Sequence, residues 1–455
     1  MNIIIVGCGK VGYAIASQLT DEGHSVAIID TNKERLERAC SSLDAIGYLG
    51  NGTVHQLLLD AGIKEADVFI AVTKQDEVNM LSCVIARKAS KCKTIARIKS
   101  PEYYEEISFL SETLGISLSF NPESMTAEEA DKLVHLPSAL EIDTFAKGLV
   151  DIVKIKLPKD SILHDCPLKN LGHVIGNNDI LVCAVERDKT VTIPDGNFVL
   201  KEGDIVSFTM PNLNPKQMNR LFNKIGIHSR EIKDVVIAGG GTITYYLAEK
   251  LLKSKVAVTI IEPDKKKCMN ISTHLPKAKV IHGDYNDNDI LLEEGIADAD
   301  AVIALSDSDE ENIVFSLYAS RTSSAKVITK INRLDFFQAF EDLPGSLLCP
   351  RNITAEAMIG YVRSLKNSYN SSNVEALYKI VNGKVEALEF KIEKNSPVTN
   401  TPLMDLTLRS NLLICCIIRK GHVIKPSGKD VILPGDIVVV VTTDKGLESI
   451  DDILK

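Results

Sequence analysis

IIIVGCGKVGYAIASQL, residues 3–19, is the stretch whose reading decides the fold. Ile3 to Val6 form an apolar run of buried-strand character, and apolar residues recur at helical spacing from Val11 to Leu19. Between them Gly7, Gly9 and Gly12 spell G-x-G-x-x-G. The first glycine permits a tight turn, the second lets backbone approach a pyrophosphate, and the third lets helix and strand pack closely. The start of the helix then offers free N–H groups and a partial positive charge to an anion. Cys8, Lys10 and Val11, between the glycines, belong to the same candidate site. A second strand, SVAIID, ends in Asp30, 23 residues after Gly7, near the spacing expected of the acid that binds a ribose 2′-hydroxyl. Asp30 would meet a 2′-phosphate as a like charge, so the turn is expected to prefer NAD(H) to its phosphorylated form.

The chain has 455 residues, too many for one core, and its 25% charged and 45% hydrophobic residues are ordinary for globular protein. A net charge of −9 argues against nucleic acid as the main partner. The first residues carry no basic leader, and no apolar run approaches the length of a membrane helix, so a cytoplasmic chain is expected. The ten cysteines lack C-x-x-C spacing and read as buried thiols rather than metal ligands.

The sequence then repeats itself. VVIAGGGTITYYLAEKL places Gly239 232 residues after Gly7 and Gly241 at the matching distance from Gly9, while Thr244 replaces the third glycine. Asp30 matches Glu262, Asn51 matches Asp284, Asp67 matches Asp300, and Asp76 and Asn79 match Asp309 and Asn312. Near the ends of the two units, Arg187, Pro194 and Asp204 match Arg419, Pro426 and Asp436. Register held over this span requires a tandem duplication of a unit of about 230 residues. Strand runs alternate with helical stretches in the first part of each unit, and short strands with turns such as PDG and EGD fill the second. The expected fold is α/β: two tandem units, each a Rossmann-like doubly wound parallel-sheet N-lobe followed by a small α+β C-lobe. The expected boundaries are 1–138 and 139–222 for the first unit, 223–233 for a linker, and 234–366 and 367–455 for the second. The polar run at 367–373 reads as a loop.

A dehydrogenase needs an acid or base facing the nicotinamide. His164 and His173 of the first small lobe have no counterparts in the second. A ligand-binding regulator is therefore expected ahead of a nicotinamide-dependent oxidoreductase, and no catalytic residue is assigned. Thr244 implies a weaker or displaced second site.

The order GCGKVG, Asp30, GNGT at 50–53, ADVFIAVTKQDEVN, TIARI and a small PDG…EGD lobe, all repeated, resembles the RCK (KTN) domains that regulate potassium transport. Two in one chain resemble the regulatory subunits of bacterial Trk potassium-uptake systems. The resemblance implies NAD(H) and ATP/ADP as ligands and assembly into a homo-oligomeric ring, expected to be a tetramer. It also implies docking beneath a TrkH/TrkG-type potassium-translocating membrane subunit, which would hold the chain on the inner face of the membrane. The candidate site is Gly7, Cys8, Gly9, Lys10, Val11, Gly12, Asp30, Asn51, Thr73 and Arg97 in the first unit, with Gly239, Gly241, Glu262 and Asp284 in the second. Asn51 departs from the acid usual at the third-strand turn. Asp76 and Asn79 suit helix capping or ligand contact equally, and Arg97 suits a phosphate or a salt bridge. Arg187 with Asn177, Asn178 and Pro194 suits a plain dimer contact or a pocket like that holding cyclic di-AMP in related lobes.

Overall fold

A computed structural model describes residues 1–455 apart from 147–148, 177–179, 212–214, 228–229, 334–342, 370–373, 382–383, 394–395 and 448. The first apolar runs pair side by side as a six-stranded, wholly parallel sheet. Its order is Ala45–Leu49, Ser25–Asp30, Asn2–Val6, Val68–Ala71, Lys93–Arg97 and Leu118–Phe120. By sequence order this is 3-2-1-4-5-6, the doubly wound arrangement whose crevice opens where the order reverses. The second unit repeats it with Lys279–His282, Ala257–Glu262, Asp234–Ala238, Ala301–Ala304, Lys326–Lys330 and Ser346–Leu348. After each parallel sheet comes a five-stranded antiparallel one. In the first unit its central strands are Val150–Lys156, Ile205–Pro211 and Leu181–Arg187, and in the second Val385–Lys391, Ile437–Thr442 and Leu412–Arg419.

The units are not packed as separate bodies. Each parallel sheet ends in a crossover helix, Pro122–His135 or Pro350–Tyr369, begun by a proline that fits the first helical turn. The first crossover helix buries Ala127, Ala130, Leu133 and Val134 with Leu247 and Leu251 of the second unit's helix Thr242–Lys253. The second returns the exchange, burying Ala355, Met358, Ile359 and Val362 with Ile15, Ala16 and Leu19 of helix Lys10–Asp21. Each buried aliphatic chain of this kind contributes about 1.5–3 kcal/mol relative to exposure. Removing either crossover helix would therefore uncover the other unit's core. In the second half of helix Pro350–Tyr369 Arg363 binds Glu22 with two nitrogens, Nε at 3.0 Å. The polar run at 367–373 was expected as a loop, but this helix continues to Tyr369; residues 370–373 lie outside the described residues.

The antiparallel sheets also share a core, in which Phe145, Ile152 and Cys183 meet Ile380, Cys415 and Val439. Arg187 grips Asp204 through Nε and Nη2, both at 2.7 Å, and Arg419 grips Asp436 at 2.9 and 2.8 Å. Both aspartates are 1% exposed, so each pair is an internal brace of its lobe. Pro194 lines a separate hollow with Lys169, His173 and Lys425, while Asn177 and Asn178 lie outside the described residues.

Candidate functional site

Each glycine turn sits at the carboxyl end of the first strand of its parallel sheet, facing the point where strand order reverses. Gly7 has φ +101°, a backbone region that favours glycine, and a Cβ there would lie 3.0 Å from the Val72 carbonyl. A Cβ on Gly12 would lie 1.9 Å from the Gly7 carbonyl oxygen, so the third glycine is a packing requirement. Gly9 meets nothing, and it starts helix Lys10–Asp21 with no side chain capping the first N–H groups. The space before Gly9 and the free amides of Lys10, Val11 and Gly12 are the parts of an anion site.

Asp30 is 8% exposed. Its Oδ2 accepts the Cys8 amide at 2.6 Å and its Oδ1 the Asn32 amide at 2.7 Å. The carboxylate thus clamps the glycine turn to the second strand, and each oxygen keeps a lone pair for a ribose hydroxyl. The Cys8 thiol is pushed up to about 11 by burial, reinforced by the charge of Asp30, and acts as packing.

The opposite wall is braced by Asn79. Its Oδ1 accepts from the amide and hydroxyl of Thr73, at 2.8 and 2.7 Å, and its Nδ2 donates to the Arg97 carbonyl at 2.9 Å. Asp76 Oδ2 accepts the amides of Lys99 and Ser100. Neither residue caps a helix; both tie the fourth strand's loop to the fifth strand. Arg97 pairs with Glu123 at 2.5 Å, at the start of the crossover helix, which is the salt-bridge alternative. Asn51 is exposed and its Oδ1 accepts the Thr53 amide at 3.0 Å. Asp284 makes the same turn with Asn286, so the loop needs only the side-chain oxygen that both residues carry.

The second crevice repeats this frame. Gly239 has φ +98°. Glu262, 4% exposed, accepts the amides of Gly240 and Asp264, doing the work of Asp30 with one more methylene. Gly241 starts helix Thr242–Lys253, again uncapped. Thr244 is fully buried, and its hydroxyl donates to the Gly239 carbonyl at 2.6 Å. The β-branched residue is held inside the turn by its own hydrogen bond. These residues border a cavity of about 360 Å³ that also meets Lys267, Tyr285, Asp307 and Glu311. Sequence reading does not single out these last four, although Tyr285, Asp307 and Glu311 differ in kind from their counterparts Gly52, Lys74 and Val78, while Lys267 keeps the cation of Arg35.

A hydrogen-bonded bridge ties the second unit's glycine-turn helix to the first unit beside its crossover helix. The Tyr246 hydroxyl, one turn into the second glycine-turn helix, donates to the Lys99 carbonyl at 3.1 Å and accepts from Asn121 Nδ2 at 2.9 Å. Asn121 itself caps the first crossover helix. Among the described residues no helix is long and apolar enough to cross a membrane.

The TrkA-N domain family matches residues 3–122 and 235–345, and the TrkA-C domain family matches 152–226 and 387–455. The chain is 31% identical over 451 residues to the Trk system potassium uptake protein TrkA of Halomonas elongata, covering 98% of this chain and 96% of that one. It is 29% identical over 456 residues to a Trk system potassium uptake protein TrkA homolog of Archaeoglobus fulgidus, covering both chains fully. Among solved structures it resembles the GsuK channel, with TM-score 0.65 at 15% identity over 97% of this chain and 77% of that one. The GsuK channel bound to NAD gives TM-score 0.63 with the same identity and coverage. At that identity the likeness concerns the fold. With both domain families matched twice and in the same order, the chain belongs to the TrkA family.

Proposed function

We propose that the chain is a nucleotide-binding regulatory subunit that gates a membrane potassium transporter through ligand-dependent changes of shape. One observation carries the reading: the helix that opens each glycine crevice is packed on the crossover helix of the other unit. A ligand seated on the free amides of Lys10, Val11 and Gly12 touches helix Lys10–Asp21 at its start. The same helix is seated along its length on Pro350–Tyr369, which leads to the second antiparallel sheet. A shift of the first is thereby delivered to the second.

NAD(H) is the fitting ligand for Asp30, whose spare lone pairs face where ribose hydroxyls would lie. ATP or ADP would share the ribose end and differ at the phosphates, the differential contact that a ligand-driven shift requires. Lys10 is exposed at the helix start, and reads that difference. Thr73 and Asn51 frame the walls, and Arg97 acts through Glu123. The second site uses Gly239, Gly241, Glu262 and Asp284. The lobes divide as 1–138, 139–222, 234–366 and 367–455, with 223–233 as linker.

The partner is a TrkH/TrkG-type potassium-translocating subunit, which places the chain at the inner face of the membrane. The outer faces of helices Asp76–Ala89 and Asp309–Thr322 carry Leu81, 51% exposed, and Val314, 61% exposed, at matching positions. Such faces suit pairing of copies into a closed homo-oligomer, a tetramer in the simplest ring.

The test is potassium flux through the partner co-purified from native membranes and reconstituted. Exchange of NADH for ATP should change flux, and Lys10→Ala should blunt the response to ATP while NADH still binds. Flux indifferent to ATP, ADP, NADH and the protein itself would refute the reading.

A further inference from the structure

The two crevices share a frame and differ in charge. Four charged residues line the second, Glu262, Asp307 and Glu311 against Lys267, leaving two net negative charges, with the buried Lys330 ammonium 4.0 Å from Asp307 behind them where Arg97 stands behind the first. At the matching places of the first stand Asp30, Lys74, Val78 and Arg35, with one net positive charge. The helix that opens the first crevice begins with Lys10, the helix of the second with Thr242.

The second crevice is also tied across its mouth. The Tyr285 hydroxyl, on the loop after the third strand, donates to Glu311 Oε2 at 2.9 Å on the far wall. Tyr285 is 9% exposed and packs among Val236, Ile261 and Leu291. The Ser306 hydroxyl reaches the same Glu311 oxygen at 3.4 Å. At the rim Lys267 Nζ lies 3.7 Å from Asp307. In the first unit Gly52 and Val78 replace the tyrosine and its acceptor, and Arg35 and Lys74 replace the ion pair, so neither tie can form.

We propose that the second crevice is a site for an uncharged ribonucleoside that rejects nucleoside polyphosphates, and that the Tyr285–Glu311 tie holds it partly closed until such a ligand enters. Glu262 retains lone pairs for a ribose hydroxyl, and a cavity of about 360 Å³ is of nucleoside size. A polyphosphate drawn to the uncapped amides at Gly241 would bring several negative charges toward Asp307 and Glu311. A nucleoside brings none, and so keeps the hydrogen bonds without the repulsion. Lys267 and Lys330 both stand beside Asp307, at 3.7 and 4.0 Å, so the cations at the rim are already paired with acid, while Glu262 and Glu311 face the cavity without an ion-pair partner among the described residues. The inference rests on reading the first crevice as a nucleotide site.

The test is calorimetry on the full chain with adenosine, ADP and ATP as probes, at low and high salt. The wild-type chain is expected to bind one ADP, at the first crevice, with affinity falling as salt rises. It should bind adenosine at the second crevice without displacement by ADP. Asp307→Lys with Glu311→Val, which installs the first crevice's residues, should raise ADP to two per chain, tightening the second site about tenfold or more. Asp307→Lys alone, at a side chain 90% exposed, should give part of that gain where the double variant folds poorly. Tyr285→Phe keeps the ring, removes the tie, and should tighten adenosine severalfold. Two equal ADP sites in the wild-type chain, or no second ADP site in the variants, would overturn the proposal while leaving the first crevice's assignment standing. A chain that binds no nucleotide at either crevice would overturn both.

Discussion

The two crevices of this chain show which parts of a nucleotide fold are bound by geometry and which are free to diverge. Asp30 and Glu262 differ in length yet accept the same pair of backbone amides, one from the glycine turn and one from the loop after the second strand. Asn79 and Asn312 likewise make the same bridge, each joining the fourth strand's loop to the fifth strand's last carbonyl. These groups are buried and satisfy backbone that would otherwise be orphaned. The rims carry no such duty. There Lys74 stands against Asp307 and Gly52 against Tyr285, and the charge has changed sign. A frame under strict hydrogen-bond constraint has held two side-chain surfaces of opposite character.

The strongest way to break this comparison is to remove the clamp itself. Asp30→Ala leaves the Cys8 and Asn32 amides without their acceptor, at a cost of about 4 kcal/mol of local stability. Hydrogen exchange at those two amides should accelerate accordingly, and NAD binding at the first crevice should be lost. Protection unchanged at Cys8 would mean the clamp is dispensable.

Next in size is the third glycine. Gly12→Val drives a Cβ against the Gly7 carbonyl and should cost about 3 kcal/mol by overpacking. Gly12→Thr should recover about 1 kcal/mol of this, because its hydroxyl can take the bond that Thr244 makes to Gly239. Denaturant titration of both variants checks the ranking, and a threonine no better tolerated than valine would separate the two turns in kind.

The smallest effect sharpens the difference at the rim. Burial, aided by the bond to Glu311, raises the Tyr285 phenol from its ordinary value near 10 to about 12. The folded state therefore holds this proton longer than the unfolded chain. The tie's contribution is complete below pH 10 and is lost as pH rises through about 12. Phenolate absorbance compared with Tyr285→Phe should reveal one such late titration; the first crevice, with Gly52, has no equivalent.

Much of this was legible in the residues. The duplicated register located both turns, both acids and both small lobes, because glycine spacing and strand length survive as plain text. Thr244 was visible as a departure, but its remedy was not: a hydroxyl that bonds the turn carbonyl is a matter of rotamer and distance. Arg187 and Asp204 recur in the second copy at the same separation, a signal of pairing that was available; on its own Arg187 suited a plain dimer contact or a pocket. The exchange of crossover helices could not be read. Pro122–His135 and Pro350–Tyr369 have apolar faces at helical spacing, and such a face says that a helix must be covered, not which sheet covers it. Tyr285 and Glu311 gain meaning only when the loop after the third strand faces the start of helix Asp309–Thr322 across a cavity.

The helix exchange also sets a timetable for synthesis. Ile15 and Leu19 leave the ribosome early, but Met358 and Ile359, which cover them, follow about 340 residues later. At about 5–20 residues per second the first sheet waits on the order of 20–70 s with one apolar face open. During that interval the crossover helix of a neighbouring nascent chain fits the vacancy as well as its own, so crowded polysomes favour chains linked through each other's helices. Slowing translation between the two units should increase such linked dimers, whereas slowing initiation, which spaces ribosomes apart on each message, should restore chains closed on themselves.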